Sequence, residues 1–317
     1  MTVKGGAFLK AGFDKLLKEA FHHTFKELDV LNIADSLRVG DFERIRKAHD
    51  SIHELLLLPL SLLSSGKVTW HAKSAFLTYQ WEAFHLAHRA FIEALAGYYN
   101  AGYTLLRSAL ELLVRGAFWE CMAHKGFRSR AKVLDEDRQK YRKISIKDWV
   151  DELIRSDPSI EESLEETSAS IFDKVAPILE NDELRECIRL PSFSVIVKQL
   201  VEWDIIDISR GYQIVYRELY GELSKDVHVI PDRTDIGRRL LTEEDFLKVI
   251  VVPAELNKFM DCLRKVIDVG IVIQLNVLSD WIRDDKEVQS NLRERLSVLE
   301  ELELKFSFEK LKSLVNQ

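Results

Sequence analysis

Two polar spacings in this chain could do chemistry. Glu19-Ala-Phe-His22 and Glu82-Ala-Phe-His85 each set a carboxylate and an imidazole three residues apart, on one face of a helix. Two such pairs, with a glutamate from each of two further helices, build a di-iron or di-manganese carboxylate centre, and Glu54 and Glu111 lie on the intervening segments. The order of these ligands is not that of di-iron bundles, so the metal centre stands as an alternative to a chain that needs no cofactor. The second spacing is in YYNAGYTLLRSALELLVRGAFW, residues 98–119, where Arg107, Glu111 and Arg115 recur every four positions and form one row along an otherwise apolar helix. A surface row of this kind contributes little, whereas a buried one must be fully hydrogen-bonded to be tolerated. The tyrosines Tyr98, Tyr99, Tyr103, Tyr212, Tyr216 and Tyr220 read as packing residues with one satisfied hydroxyl before they read as a stacking platform. His23 and His88 read as ordinary surface or half-buried histidines.

The elements that must position these groups are helices. Thirteen Gly and six Pro in 317 residues leave little of the turn chemistry that many short strands need. An apolar fraction of 46% suffices for a sizeable core. Amphipathic periods run over residues 7–31, then from an Asp41 cap to about Leu63 with Pro59 kinking or ending the run, and over Trp70 to Leu95. Gly97 and the Gly102 region precede the Tyr103 helix. After Gly126 the chain turns basic and weakly apolar, a long loop or mobile helix to Lys143. Ser145 then caps a short helix, Pro158 opens the next, and Pro177 and Pro191 each break one helix and start another. A helix from Ser209 carries Tyr212, Tyr216 and Tyr220, Thr242 with Asp245 offers a further cap, a long apolar helix spans Pro253 to Trp281, and the tail from Asp285 forms two charged helices. The expected fold is all-α: an elongated antiparallel helical bundle from residues 1–126 and 206–317, with a helical insertion at 127–205.

The net charge of -7 argues against a basic surface overall, but the charge is unevenly distributed. Residues 124–147 hold nine Lys and Arg against three acids, and residues 151–186 hold twelve acids against three Lys and Arg. The two blocks pair with each other or with a second subunit, or else the basic one receives a polyanion. Cys121, Cys187 and Cys262 are widely spaced and odd in number, as in a cytosolic protein with reduced thiols. No signal peptide and no bilayer-spanning run is recognised, so the expectation is a cytoplasmic protein with no membrane partner.

The Arg107, Ser108, Glu111 stretch, with the later Tyr220, Leu223, Ser224, Val227, His228 stretch, resembles a group of all-helical bacterial and archaeal proteins related to the HEPN superfamily. The resemblance covers about forty residues. It implies that Arg107, Glu111 and His228 share one polar pocket. Arg115, Tyr220, Ser224 and, from the basic block, Arg128 and Arg130 are the expected substrate-binding residues, and the expected assembly is a homodimer acting in defence or stress regulation. HEPN ribonucleases carry an Arg-x4–6-His motif on one helix. Arg44 with His49 and Arg46 with His53 have that spacing but lie on another element. A His as base and an Arg that stabilises a pentavalent phosphate can cleave RNA without metal. The expected function is therefore a module that binds RNA or a nucleotide, with metal-independent ribonuclease activity as its enzymatic form. A protein–protein interaction module is the alternative, in which His228 serves only as a helix C-terminal cation.

Overall fold

A computed structural model describes residues 15, 18, 31–61, 73–139, 143–227, 251–279 and 286–316. The chain is all-α. Helix α1 (Leu31–Val39) leads into α2 (Phe42–Leu60), α3 (Ala75–Leu95) and α4 (Tyr99–Ala123). Short helices follow from Lys125 to Cys187, then α5 (Phe193–Glu202) and a π-helix, Gln213–Tyr220, continued by the α-helical Gly221–Val227. Helices α6 (Pro253–Val277), α7 (Lys286–Glu301) and α8 (Lys305–Val315) close the described chain. Among the described residues the one strand pairing is parallel and two residues long, Ile144–Ser145 against Ile188–Arg189.

The bundle is α2, α3, α4 and α6, whose apolar stripes meet in a core that includes Ile52, Leu55, Phe76, Phe118, Leu113 and Phe259. Helices α3 and α4 form a hairpin because Gly97 takes the left-handed conformation, φ 90°, and closes the α3 C-terminus with Tyr98 N–H donating to Glu93 O at 2.8 Å. They then run close together: a Cβ on Gly116 would lie 2.7 Å from Tyr79 Cβ, so only glycine fits at that crossing.

Pro59 explains the polar centre of this core. It lies in the last turn of α2 and has no N–H to give to the carbonyl of Leu55, four residues earlier. That buried carbonyl instead accepts from the side-chain amides of Gln80 on α3 and Gln274 on α6, the latter at 3.2 Å, and Gln274 also donates to Gln80 Oε1 at 2.8 Å. Both glutamines are fully enclosed, so one missing hydrogen bond is converted into a tie between three helices.

Two carboxylates, the buried Asp268 and the partly buried Glu120, cap helices that are not their own. Asp268 on α6 accepts from Phe306 N–H at 3.0 Å and Ser307 N–H at 2.8 Å, both in the first turn of α8, and from Ser307 Oγ at 2.7 Å. Glu120 on α4 accepts at Oε2 from Phe76 N–H (3.0 Å), Ser74 Oγ (3.0 Å) and Ser168 Oγ (2.6 Å). Ser74 is the N-cap of α3, and Ser168 opens a 3-10 turn, Ser168–Ser170, between the short helices, so this carboxylate joins them to the bundle. Burial disfavours its charge, but the hydrogen bonds from His124, Ser168, Phe76 and Ser74 outweigh that and hold Glu120 below the ordinary carboxylate range.

Several boundaries differ from the sequence expectations. Helix α3 begins at Ala75 on the Ser74 cap rather than at Trp70, and Gly102 lies inside α4. Of the two alternatives for the stretch after Gly126, the helical one holds over residues 125–138, as two short helices, Lys125–Arg128 and Lys132–Arg138. Pro177 does not end a helix but sits within Ile171–Glu180. It is exposed there, as is Asp173, so water can satisfy the carbonyl that the proline leaves open. Asp41, Ser145 and Pro253 hold the capping and first-turn positions expected of them. The expected helix at 7–31 and the Thr242–Asp245 cap lie outside the described residues.

Candidate functional site

The Arg107 row is half-buried on α4, facing the Gln213–Val227 helix. Arg107 donates through Nε to Glu111 Oε1 at 3.1 Å and through Nη2 to the Tyr220 hydroxyl at 2.6 Å, and its guanidinium lies 4.7 Å from the Tyr220 ring centroid. Arg107 thus joins a carboxylate and a phenol, and the three side chains form a triangle. Burial first, then the Glu111 charge, pushes the Tyr220 phenol above its ordinary range, with Arg107 opposing, so at neutral pH it remains a hydroxyl. Arg115 Nη2 lies 3.8 Å from the other Glu111 oxygen. With side-chain exposures of 18% for Arg107 and 25% for Glu111, the triangle is shielded from water yet reachable. Among the described residues, Nη1 of Arg107 has no hydrogen-bond partner, which leaves one edge of the guanidinium available to an anion.

The π-helix shapes the neighbouring surface. Its i→i+5 hydrogen bonds widen the turn, so residues four apart lie nearly above one another. Tyr212, Tyr216 and Tyr220 accordingly stack, with ring centroids 5.3 and 5.7 Å apart and interplanar angles of 26° and 16°. Phe193 of α5 extends the ladder, 4.3 Å from the Tyr220 ring. A cation stands at each end, Arg107 over Tyr220 and Lys198 Nζ 5.2 Å from the Tyr212 ring. Phe193 and Lys198 carry no motif that would mark them in the sequence.

The other candidates distribute differently. Ser224 donates back to Tyr220 O at 2.6 Å and stays within its own helix. Arg128, expected at the substrate, is 3% exposed and belongs to the core instead. It donates to Met122 O and Ala123 O at 3.0 and 2.7 Å and pairs with Asp151 and Glu161 at 3.3 and 2.8 Å. Lys125 pairs with Glu161, and Lys147 with Asp151 and Asp135, so Lys125, Arg128 and Lys147 of the basic block are paired with Asp151 and Glu161 of the acidic one. Arg130 is exposed, donating to Gly126 O at 3.2 Å beside the Phe127 ring. His228 lies outside the described residues, as do Glu19 and His22.

The carboxylate metal centre does not assemble from the residues that are described. Glu82 and His85 are exposed, Glu54 is engaged by Arg295, and Glu111 by Arg107. Arg44 is drawn to Asp261 at 3.3 Å, and Arg46 to Glu43, Asp50 and Glu301. The histidines that follow them do converge: the ligand nitrogens of His49, His53 and His88 lie within 4.8 Å of one another. Burial first, then the adjacent imidazoles, hold His53 and His88 below the ordinary imidazole range. The signal for this group was the His-x3-His spacing on α2, but nothing in the sequence marks His88 as the third member. No protein-family model, no curated protein and no solved structure matches the chain.

Proposed function

We propose that the chain is a HEPN-like helical module that binds RNA or a nucleotide through Arg107, Glu111 and Tyr220, with Arg115 as a flanking cation. The observation that carries this reading is the half-buried guanidinium, fixed on two sides by a carboxylate and a phenol, with its third edge unpartnered among the described residues. Such a group is oriented before a phosphate arrives and loses little side-chain freedom on binding it. A shielded setting strengthens each charge-assisted hydrogen bond it then makes. In the enzymatic form of this proposal His228 supplies the base, and Arg107 stabilises the charge that develops on phosphorus.

The pairing of Lys125, Arg128 and Lys147 with acids favours a second reading, a protein-interaction module without a nucleic-acid ligand. A filter-binding titration against mixed single-stranded RNA at low salt separates the two, because electrostatic attraction is least screened there. RNA binding that weakens as salt rises supports the first reading. Cleavage that His228→Ala abolishes while binding persists supports the ribonuclease form. No binding at low salt leaves the interaction module.

A further inference from the structure

We infer that His49, His53 and His88 form a binding site for a divalent transition cation of the zinc class, independent of the Arg107 site. His49 and His53 are one turn apart on α2, and His88 comes from α3. Nε2 of His49 and Nε2 of His53 are 3.2 Å apart. Two nitrogens bound to one tetrahedral ion at ~2.0–2.1 Å stand about 3.4 Å apart, so this pair is already spaced for a shared cation. His88 completes the set with its ring centroid 4.8 Å from that of His53, and the ligand nitrogens of all three histidines lie within 4.8 Å of one another.

The surroundings select the ligand atom. His49 Nδ1 lies 3.0 Å from Asp50 Oδ1, a contact that puts the proton on Nδ1 and the lone pair on Nε2. A carboxylate behind a ligating imidazole is the usual outer support of a metal site. Asp50 is itself held by Arg46 Nη1 at 2.9 Å, so the support is fixed before any ion arrives. Phe84 and Phe91 wall one side, with ring centroids 4.6 Å from His88 and 5.6 Å from His49. The other side is open, since the His49 side chain is 45% exposed. Three imidazoles and an open fourth position suit Zn2+, Co2+, Ni2+ or Cu2+ and exclude the all-oxygen preference of Mg2+ and Ca2+. The fourth position would hold water, as in zinc sites that keep an exchangeable ligand.

The test uses the full chain without an affinity tag, stripped with chelator and titrated with Co2+ and with Zn2+. One Co2+ per chain is expected, with visible absorption of a low-symmetry site that Zn2+ bleaches by displacement. His53→Ala and His88→Gln should each abolish that absorption, and Asp50→Asn should weaken affinity by about 10- to 100-fold. His88→Gln preserves bulk, so the test survives if the alanine variant misfolds, and far-ultraviolet circular dichroism checks each variant. Wild-type Co2+ affinity weaker than about 1 mM would overturn the proposal. So would absorption unchanged in both His53→Ala and His88→Gln, which would identify adventitious binding elsewhere. Because no RNA enters the experiment, its outcome is separate from that of the proposed function.

Discussion

Replacing Glu120 tests whether one carboxylate joins the short helices to the bundle. Its Oε2 accepts from one backbone N–H and two hydroxyls, and Ser74 and Ser168 are 2% and 3% exposed. In Glu120→Ala these donors lose a buried acceptor, at ~1–3 kcal/mol each where no water replaces it, so a loss of about 3–5 kcal/mol is expected. Glu120→Gln keeps an acceptor oxygen but removes its charge. Charge-assisted bonds are roughly twice as strong as neutral ones, so this variant should lose about 1–3 kcal/mol. The pH dependence follows from the lowered pKa in the folded state. A carboxyl that ionises more readily when folded adds stability above its unfolded pKa of ~4.3, and that stability is lost as pH falls through the folded value. Urea unfolding followed by circular dichroism at stepped pH should therefore show the gap between wild type and Glu120→Gln full near neutrality and closing in acid. A gap that stays constant from neutral pH to pH ~3 would refute the assignment of the charge to this network.

Asp268→Ala should cost about 2–4 kcal/mol in urea unfolding, because two N–H groups in the first turn of α8 lose their acceptor; a cost below ~0.5 kcal/mol would mean that solvent caps that helix equally well. Arg128→Ala should destabilise by about 3 kcal/mol while Arg130→Ala stays within ~0.5 kcal/mol, a contrast that distinguishes a core cation from a surface one in chains of nearly equal composition. Gly116→Ala should cost about 1–3 kcal/mol, since its methyl would meet Tyr79 Cβ at 2.7 Å and force α3 and α4 apart; thermal melts of the two proteins would show it directly.

What was legible in the sequence was local. Asp41, Ser145 and Pro253 cap or open helices through atoms within a few residues of themselves, so their spacing alone announces them. Arg107 and Glu111 likewise met because four positions make one turn. What was not legible needed distant segments. Pro59 signalled a break in α2, yet the answer to its missing N–H comes from Gln80 and Gln274 on two other helices. Arg128 looks like its basic neighbours in the sequence, and only the carbonyls of Met122 and Ala123 with the acids at 151 and 161 make it a core residue. His49 and His53 stood out in the sequence only through their spacing from Arg44 and Arg46, and their meeting with a third imidazole depends on how α3 lies against α2.

The central claim is that the open edge of Arg107 receives a phosphate. The direct measurement is the affinity of short single-stranded RNA for wild type and for Arg107→Ala, side by side at low salt by filter binding, with circular dichroism confirming that both are folded. A hydrogen bond to a charged partner contributes ~1.5–3 kcal/mol, so the account predicts a loss of about 10- to 100-fold in affinity for the variant. Equal affinity of the two proteins, or no binding by wild type, would contradict it.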